Sequence, residues 1–361
     1  MTRRQYSIRV VEASGSAHKL GFEIGRQCQD LARDMVEDRQ RELKQKYNMD
    51  WDRAKVMARK YLPFYQAGIP KDVDELSGYA EGAGLEIEDI FTLFCTYKKG
   101  EKHVFGCTDL AVSAGLTKEK HVFMAHNEDA YAKEAKDICL VRGKPENDPA
   151  FLAVTFGGLI FSSGLNAAGL GFGLNTVTPT DTRVGIPIDR ISRALYGAKT
   201  IVEALTSANL PNRESSYNNV VADSHGQIYS IEGSATDFEL IYAGGRYLVH
   251  TNHYLTDKMK KYESAIPHDT WAITRHMCSV TRFNRASSLL EESEQISLPR
   301  IISIMRDHVN HPWSICRHVD EDATPEYQVK TVCSSIADLT AQELWVCYDN
   351  PCSAEYERYT L

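Results

Sequence analysis

Between residues 16 and 46 the apolar positions Leu20, Phe22, Ile24, Cys28, Leu31 and Met35 recur at intervals of two to four, with charged residues between them. A helix burying one stripe produces this spacing, so helix is predicted there. Before it, alternation over residues 6–11 predicts a short strand. Asn48 and Asp50 punctuate the pattern, and Asp50 is placed to cap a helix over 51–67. Pro70 reads as a break. Two further helices are predicted over 72–83 and 87–97, separated by the turn at Gly82 and Gly84. The run KKGEKH over 98–103 is polar and loop-like.

The pattern changes at Val104. The segments VFGCTDLAVSA, HVFMAH, ICLVRG, AFLAVTF and LGFGLNTV are β-rich and separated by turn signals. Residues 187–210 read as two short helices. Strands return at 217–222, 227–231, 238–242 and 247–250. Helices are predicted over 271–291 and 298–309, and strands over 330–336, 344–348 and 355–360. There is no tandem repeat and no low-complexity linker. A helical segment followed by strands with interspersed helices predicts an α+β protein, with two antiparallel sheets and helices outside them.

Composition narrows the function. The chain has 361 residues, 43% of them hydrophobic, enough for a large core in one domain or two. Its formal net charge of −8 includes no basic excess, so nucleic acid is not an expected partner. The opening MTRRQYSIRVVEASG lacks a signal-like apolar run, and no window approaches the length of a membrane span. The nine cysteines are odd in number and scattered, without a CxxC pair. That argues against a disulfide framework or a zinc ribbon, and favours a reducing cytoplasm.

Candidate chemistry centres on Phe105-Gly106-Cys107-Thr108, where the polar loop enters the β-rich part. A cysteine opening a strand is by default a buried structural residue. Its surroundings change that weighting. His126-Asn127-Glu128-Asp129 and His250-Thr251-Asn252-His253 each end a strand, GLNAAGL over 164–170 precedes Asn175, and PWSICR runs from Pro312 to Arg317. Polar groups at strand ends are where a scaffold presents chemistry. Singly, each has a bland reading: Asp129 as a turn residue, Asn252 as an Asx turn, Arg317 as a surface ion pair. The histidines at 250 and 253, and at 308, 311 and 318, show no recognised zinc spacing with a third ligand, so no metal is expected. Gly171 and Gly173 are not followed by a GxGxxG–helix pattern, and no nucleotide or other cofactor is implied.

These segments resemble the acyl-coenzyme A:6-aminopenicillanic acid acyltransferase family, relatives of the choloylglycine hydrolases and penicillin V acylases. The matching pieces run from GFEIG over 21–25 to SICR over 314–317, and HTNH and SICR are the most specific. The family's Asn-x-Asp reads here as Asn127-Glu128-Asp129. The resemblance implies a four-layer αββα N-terminal-nucleophile fold and a precursor that cuts its own Gly106–Cys107 bond. Residues 1–106 would form a mainly helical fragment and 107–361 the catalytic fragment, associated in one folded unit. By the same resemblance Cys107 is the nucleophile and Asp129 holds the freed α-amine. Asn252 offers its amide to the oxyanion, helped by a backbone N–H near Asn175, and Arg317 orients Cys107 and Asp129. Thr108, Ser234 and Ser314 match positions around the site. Phe105, Tyr131, Phe161, Phe172, Tyr254 and Trp313 are expected to line a pocket.

The chemistry of these residue types is coherent. A thiol titrating near about 8.5 needs a base. A new α-amine, titrating at about 7.7–8.0, supplies one on the same residue. The expected activity is amide hydrolysis through an acyl-Cys107 intermediate, on a small N-acyl amide or acyl thioester, without nucleic acid or membrane. The alternatives are acyl-CoA-dependent transfer to an amine, a Cys–His hydrolase using uncut Cys107 or Cys316, and a non-enzymatic protein that kept the fold.

Overall fold

The computed structural model describes residues 7–96, 106–266, 269–324 and 327–361. Strand β1 (Arg9–Gly15) leads into helices α1 (Ala17–Gln27), α2 (Gln29–Tyr47), α3 (Trp51–Ala58), α4 (Leu62–Gly68), α5 (Pro70–Ala83) and α6 (Ile87–Leu93). The single helix predicted over 16–46 is interrupted at Cys28, whose φ of −109° and ψ of 18° leave the helical region. Asp50 stands at the N-cap of α3 but caps nothing; its carboxylate takes the Lys44 ammonium instead. Pro70 opens α5 rather than breaking the chain, since a first-turn proline gives up an N–H that has no helical partner anyway.

After Gly106 come β2 (Gly106–Val112), β3 (Phe123–Tyr131), β4 (Ile138–Pro145), β5 (Phe151–Phe156), β6 (Ile160–Asn166) and β7 (Leu170–Asn175). Helices α7 (Ile188–Leu195) and α8 (Ile201–Ala208) precede β8 (Asn218–Asp223), β9 (Ile228–Gly233), β10 (Phe238–Tyr242) and β11 (Tyr247–His250). The chain closes with α9 (Asp257–Lys260), α10 (Thr270–Glu291), α11 (Leu298–Met305), β12 (Val329–Asp338), β13 (Glu343–Tyr348) and β14 (Glu357–Thr360). An eight-stranded sheet runs β1-β4-β5-β6-β7-β8-β9-β10, and a six-stranded sheet runs β11-β2-β3-β12-β13-β14. All pairings are antiparallel except β1 with β4, so the larger sheet departs from the purely antiparallel expectation.

Three apolar clusters define the layers. On β4, Cys139 and Val141 face a cluster with Leu20, Ile24, Leu76 and Leu195 of the first helical layer. The alternate residues Ile138 and Leu140 face Met124, Val332 and Leu344 of the other sheet. Leu110, Phe123 and Ile336 of the six-stranded sheet then pack on Leu289, Leu290, Ile301 and Ile304 of α10 and α11. Side chains alternate across a strand, so each sheet feeds two clusters. The result is the αββα order.

Helices α1 and α5 cross with almost no space between backbones. A Cβ on Gly78 would lie 1.9 Å from the His18 carbonyl oxygen, and one on Gly21 1.8 Å from that of Glu75. Gly25 and Gly82 repeat the contact against Tyr79 and Phe22. Buried ion pairs Arg190–Asp72 and Arg193–Glu75 tie α7 to α5 beside this crossing.

Gly78→Ala gains about 1 kcal/mol of helix propensity but forces backbone apart, a strain of about 1–3 kcal/mol or more. The strain wins, and urea unfolding should show a net loss of stability; a gain would refute the close crossing. Glu214 accepts hydrogen bonds from the Tyr61 hydroxyl (3.0 Å) and the Thr96 N–H (3.2 Å), and burial pushes its carboxyl up to about 7. The folded state therefore holds this proton more tightly than the unfolded chain. Its stabilising contribution is complete below the ordinary glutamate range and is lost as pH rises through about 7. Glu214→Gln should flatten the decline in stability between pH 5 and 8 relative to the unaltered protein.

Candidate active site

The register of β2 against β3 pairs Gly106 with Asp129, Cys107 with Glu128, Thr108 with Asn127 and Asp109 with His126. Alternation then divides these residues between two faces. Cys107, Asp109, His126 and Glu128 share the inter-sheet face with Ala111 and Met124. Thr108, Asn127 and Asp129 point toward α10 and the 305–317 segment, as Leu110 and Ala125 do.

The inter-sheet face carries the thiol. Cys107 is fully buried, with Sγ 3.5 Å from Glu128 Oε1. His126 Nε2 lies 3.1 Å from Glu128 Oε2, and its Nδ1 lies 2.8 Å from Asp109 Oδ1. The Ser162 hydroxyl, from β6 in the facing sheet, donates to Glu128. Burial and the Glu128 carboxylate push the Cys107 thiol up to about 12. Burial alone would lower His126, but Asp109 and the hydrogen bonds to Cys107 and Glu128 outweigh it and hold the imidazole above its usual range.

The opposite face carries the Gly106–Cys107 peptide. The Cys107 N–H donates to Asn252 Oδ1 at 2.9 Å. Arg282 of α10 donates to the Cys107 carbonyl (2.5 Å), to Thr108 Oγ1 (2.8 Å) and to Asn252 Oδ1 (2.7 Å). Asp129 Oδ1 accepts from the Thr331 hydroxyl at 2.7 Å, and its buried Oδ2 has no partner among the described residues. A Cβ on Gly106 would lie 3.0 Å from that Oδ2 and 3.1 Å from Arg317 Nη1. Burial raises the Asp129 carboxyl, partly offset by Arg282, Arg317 and Thr331. Arg317 stacks on Trp313, 4.5 Å from the ring centre. Cys107, Asp129, Asn252 and Arg317, far apart in sequence, thus surround one peptide bond.

A sequence model of the acyl-coenzyme A:6-aminopenicillanic acid acyl-transferase family matches residues 116–353. The chain belongs to that family. Membership supports an enzyme that handles acyl groups. The matched span begins after Cys107, so the thiol's part in the site rests on the geometry above. Among solved structures, a conjugated bile acid hydrolase from Clostridium perfringens is similar at 14% identity and a TM-score of 0.47, covering 71% of this chain and 97% of its own. A penicillin V acylase from Agrobacterium tumefaciens is similar at 13% identity and a TM-score of 0.41, covering 67% and 83%. A search of curated proteins finds no significant match.

Other residues singled out in this acyltransferase-family chain fall in several places. Asn252 presents its carbonyl oxygen to Cys107, not its N–H₂ as expected for an oxyanion donor. Two donors, the Cys107 N–H and Arg282, fix that orientation, and Asn252 Nδ2 goes to the Thr176 carbonyl. Asn175 contacts Asn218 and His250 through Oδ1, while its buried Nδ2 has no partner among the described residues. Ser234 is not joined to the thiol; its hydroxyl bonds Asp181 and organises the 234–237 turn. The Ser314 hydroxyl bonds the Cys316 carbonyl. Tyr254 is buried against Val177 and Met259 and donates to the Gly233 carbonyl. Phe161 and Phe172 belong to the outer core beside Tyr196, because on β6 it is Ser162 that faces the thiol. Tyr131 is half-buried at the end of β3, and Phe105 lies outside the described residues.

Arg282, Glu128, His126 and Asp109 escaped the sequence reading as functional groups, yet each carries a signal. Arg282 stands on the buried stripe of α10 with Cys278, Ala286 and Leu289. Asp109, His126 and Glu128 are ionisable groups inside strands that are otherwise apolar on that face. Cys107, His126 and Glu128 are close enough to hold a metal, but they already satisfy one another. A cavity of about 50 Å³ touches Asn252, Trp271, Arg275 and His276. A larger one, about 640 Å³, lies between α5, α7 and α8 and includes none of the residues around Cys107. Of the two, only the small cavity touches the surroundings of Cys107, through Asn252.

Arg282→Lys tests the arrangement, since a single ammonium cannot reproduce a fork that reaches three oxygens. A loss of about 2 kcal/mol in urea unfolding is expected. A change within about 0.5 kcal/mol would show that the fork carries no weight.

Proposed function

We propose that this protein is a self-processing cysteine amidase of the N-terminal-nucleophile type. It cuts its own Gly106–Cys107 bond and then acts on N-acyl amides or acyl thioesters through an acyl-Cys107 intermediate. The observation that carries this reading is the convergence on one peptide bond: the nucleophile's own N–H on Asn252, and Asp129 and Arg317 against Gly106.

The steps balance. The Cys107 thiol loses its proton to the neighbouring Glu128 carboxylate and attacks the Gly106 carbonyl carbon. The Gly106 C–N bond breaks, and the Cys107 nitrogen takes a proton and leaves as an amine, giving a thioester. Water then releases Gly106 as a carboxylate and regenerates the thiol. Glycine suits this position because a Cβ would crowd Asp129 and Arg317. The freed amine stays on Asn252 and gains Asp129 as its carboxylate partner. Near neutral pH it serves as base for its own thiol. Asn252 is accordingly read as the holder of the amine. The unpartnered Asn175 amide is read as the donor for the oxyanion, where one such bond is worth about two to three powers of ten in rate.

Residues 1–106 and 107–361 would remain together, because β1 is hydrogen-bonded into the larger sheet and α1 and α5 cover it. Hydrolysis is favoured over transfer to an amine because water is always present; faster amide synthesis than hydrolysis, with acyl-CoA and an amine, would reverse that order. We place the enzyme in the cytoplasm, where a reactive thiol stays reduced. A second reading draws on the Cys107–Glu128–His126–Asp109 chain, which links the thiol through a carboxylate to an imidazole and predicts activity without cleavage. Full burial of the uncut thiol favours the first reading.

Denaturing intact-mass measurement decides between them. Two fragments meeting at Gly106/Cys107, absent in Cys107→Ala, are expected. An active but uncut chain would establish the second reading instead. Gly106→Ala should slow the appearance of fragments by about tenfold or more, since small misplacements around a reacting bond are costly. Unchanged kinetics would remove the proposed role of the Asp129–Arg317 contact.

A further inference from the structure

Away from the Cys107 centre, four side chains from three chain segments converge. His308 follows α11, Cys316 and His318 lie in the segment after it, and Cys352 follows β13. One ligand atom from each lies within 4.8 Å of all the others. His308 Nε2 is 3.1 Å from His318 Nε2, which is 3.7 Å from Cys316 Sγ and 3.4 Å from Cys352 Sγ. We propose that His308, Cys316, His318 and Cys352 form a structural zinc site.

The distances support a tetrahedron. Zinc bonds of about 2.3 Å to sulfur and about 2.0–2.1 Å to nitrogen put the ligand atoms about 3.3–3.8 Å apart. The three separations from His318 Nε2 sit at or close to those edges, and the other ligand atoms lie within 4.8 Å of one another. Two thiolates and two imidazoles in that geometry select zinc over magnesium or calcium, which prefer oxygen. The two thiolates also neutralise a divalent ion, as a partly buried position requires. Four protein ligands complete the coordination and leave no open position, which marks a structural rather than a hydrolytic metal. His308 is exposed and His318 and Cys352 are half-buried, so an ion can reach the site from solvent.

Surrounding bonds hold the ligands in place. Asn350 Nδ2 approaches Cys316 Sγ at 3.5 Å and donates to the Arg317 carbonyl at 2.7 Å. The Cys316 N–H donates to the Asp307 carbonyl (3.0 Å) and the His318 N–H to the Pro312 carbonyl (2.9 Å). An N–H directed at a ligating sulfur is a common outer contact of thiolate metal sites. Binding releases the two thiol protons to solvent. Cys316 and His318 immediately flank Arg317, so the ion would clamp both neighbours of the guanidinium that reaches Gly106. Histidine spacing alone conceals the set, because Cys352 arrives from 34 residues beyond His318 and completes it.

Elemental analysis of the purified full-length protein should find about one zinc per chain, kept through dialysis without chelator. Cobalt exchanged into the unaltered protein should give the visible absorption of a tetrahedral site and a sulfur-to-cobalt charge-transfer band. Cys352→Ser should lose both signals. A protein that arrives without zinc and takes up neither zinc nor cobalt on titration would overturn the proposal. So would a Cys316–Cys352 disulfide in the non-reduced peptide map, or full metal content in a folded Cys352→Ser variant. The readings on the unaltered protein stand even if that variant does not fold.

Discussion

The pairing of β2 with β3 is the constraint from which the site follows. With Cys107 opposite Glu128 and Gly106 opposite Asp129, the thiol and the peptide bond before it receive different company. The thiol gains acids and an imidazole between the sheets. The peptide bond gains Asp129 directly, and Arg282 and Arg317 from the helical side. A slip of one residue would exchange the two faces, placing Asn127 and Asp129 among the apolar side chains between the sheets. The apolar residues of the same strands, Leu110, Phe123 and Ala125 on one side and Ala111 and Met124 on the other, prevent that slip.

Holding this centre costs stability. Asp109, His126, Glu128, Asp129, Arg282 and Arg317 are all almost fully buried. Charges taken out of water recover their loss only through good partners. Here the recovery is incomplete, since Asp129 Oδ2, Asp109 Oδ2 and Arg317 Nε have no hydrogen-bond partner among the described residues. The rest of the fold offsets the deficit. Three continuous apolar clusters and the close crossing of α1 and α5 form a frame rigid enough to keep poorly satisfied groups in position.

Much of this was legible in the chain itself. Period-two and helical spacing located most strands and helices; Asp129 and Asn252 were visible as polar groups ending strands, and Cys107 and Arg317 through the family resemblance. What escaped depended on distant partners. Strand β3 runs on through His126-Asn127-Glu128-Asp129, which look like a turn, because β12 pairs with them up to Tyr131. Strand β6 was hidden in small and polar residues whose burial comes from the facing sheet, as the Ser163–Ser335 contact illustrates. Arg282 read as one more cation on a long helix, and only the neighbouring strand reveals what its fork holds. The orientation of the Asn252 amide likewise depends on that arginine, 30 residues away.

The parallel pairing of β1 with β4 has a consequence of its own. Strand β4 is rich in buried Ile138, Cys139, Leu140 and Val141, and β1 alone covers its outer edge. Strand β1 precedes β4 in the chain, so the partner of that edge is made before the edge itself. A fragment beginning at Cys107 and made separately would instead expose an unpaired apolar edge, a template for joining one molecule to the next. Strand β1 therefore does more than extend the sheet: it keeps a sticky edge out of reach of other molecules.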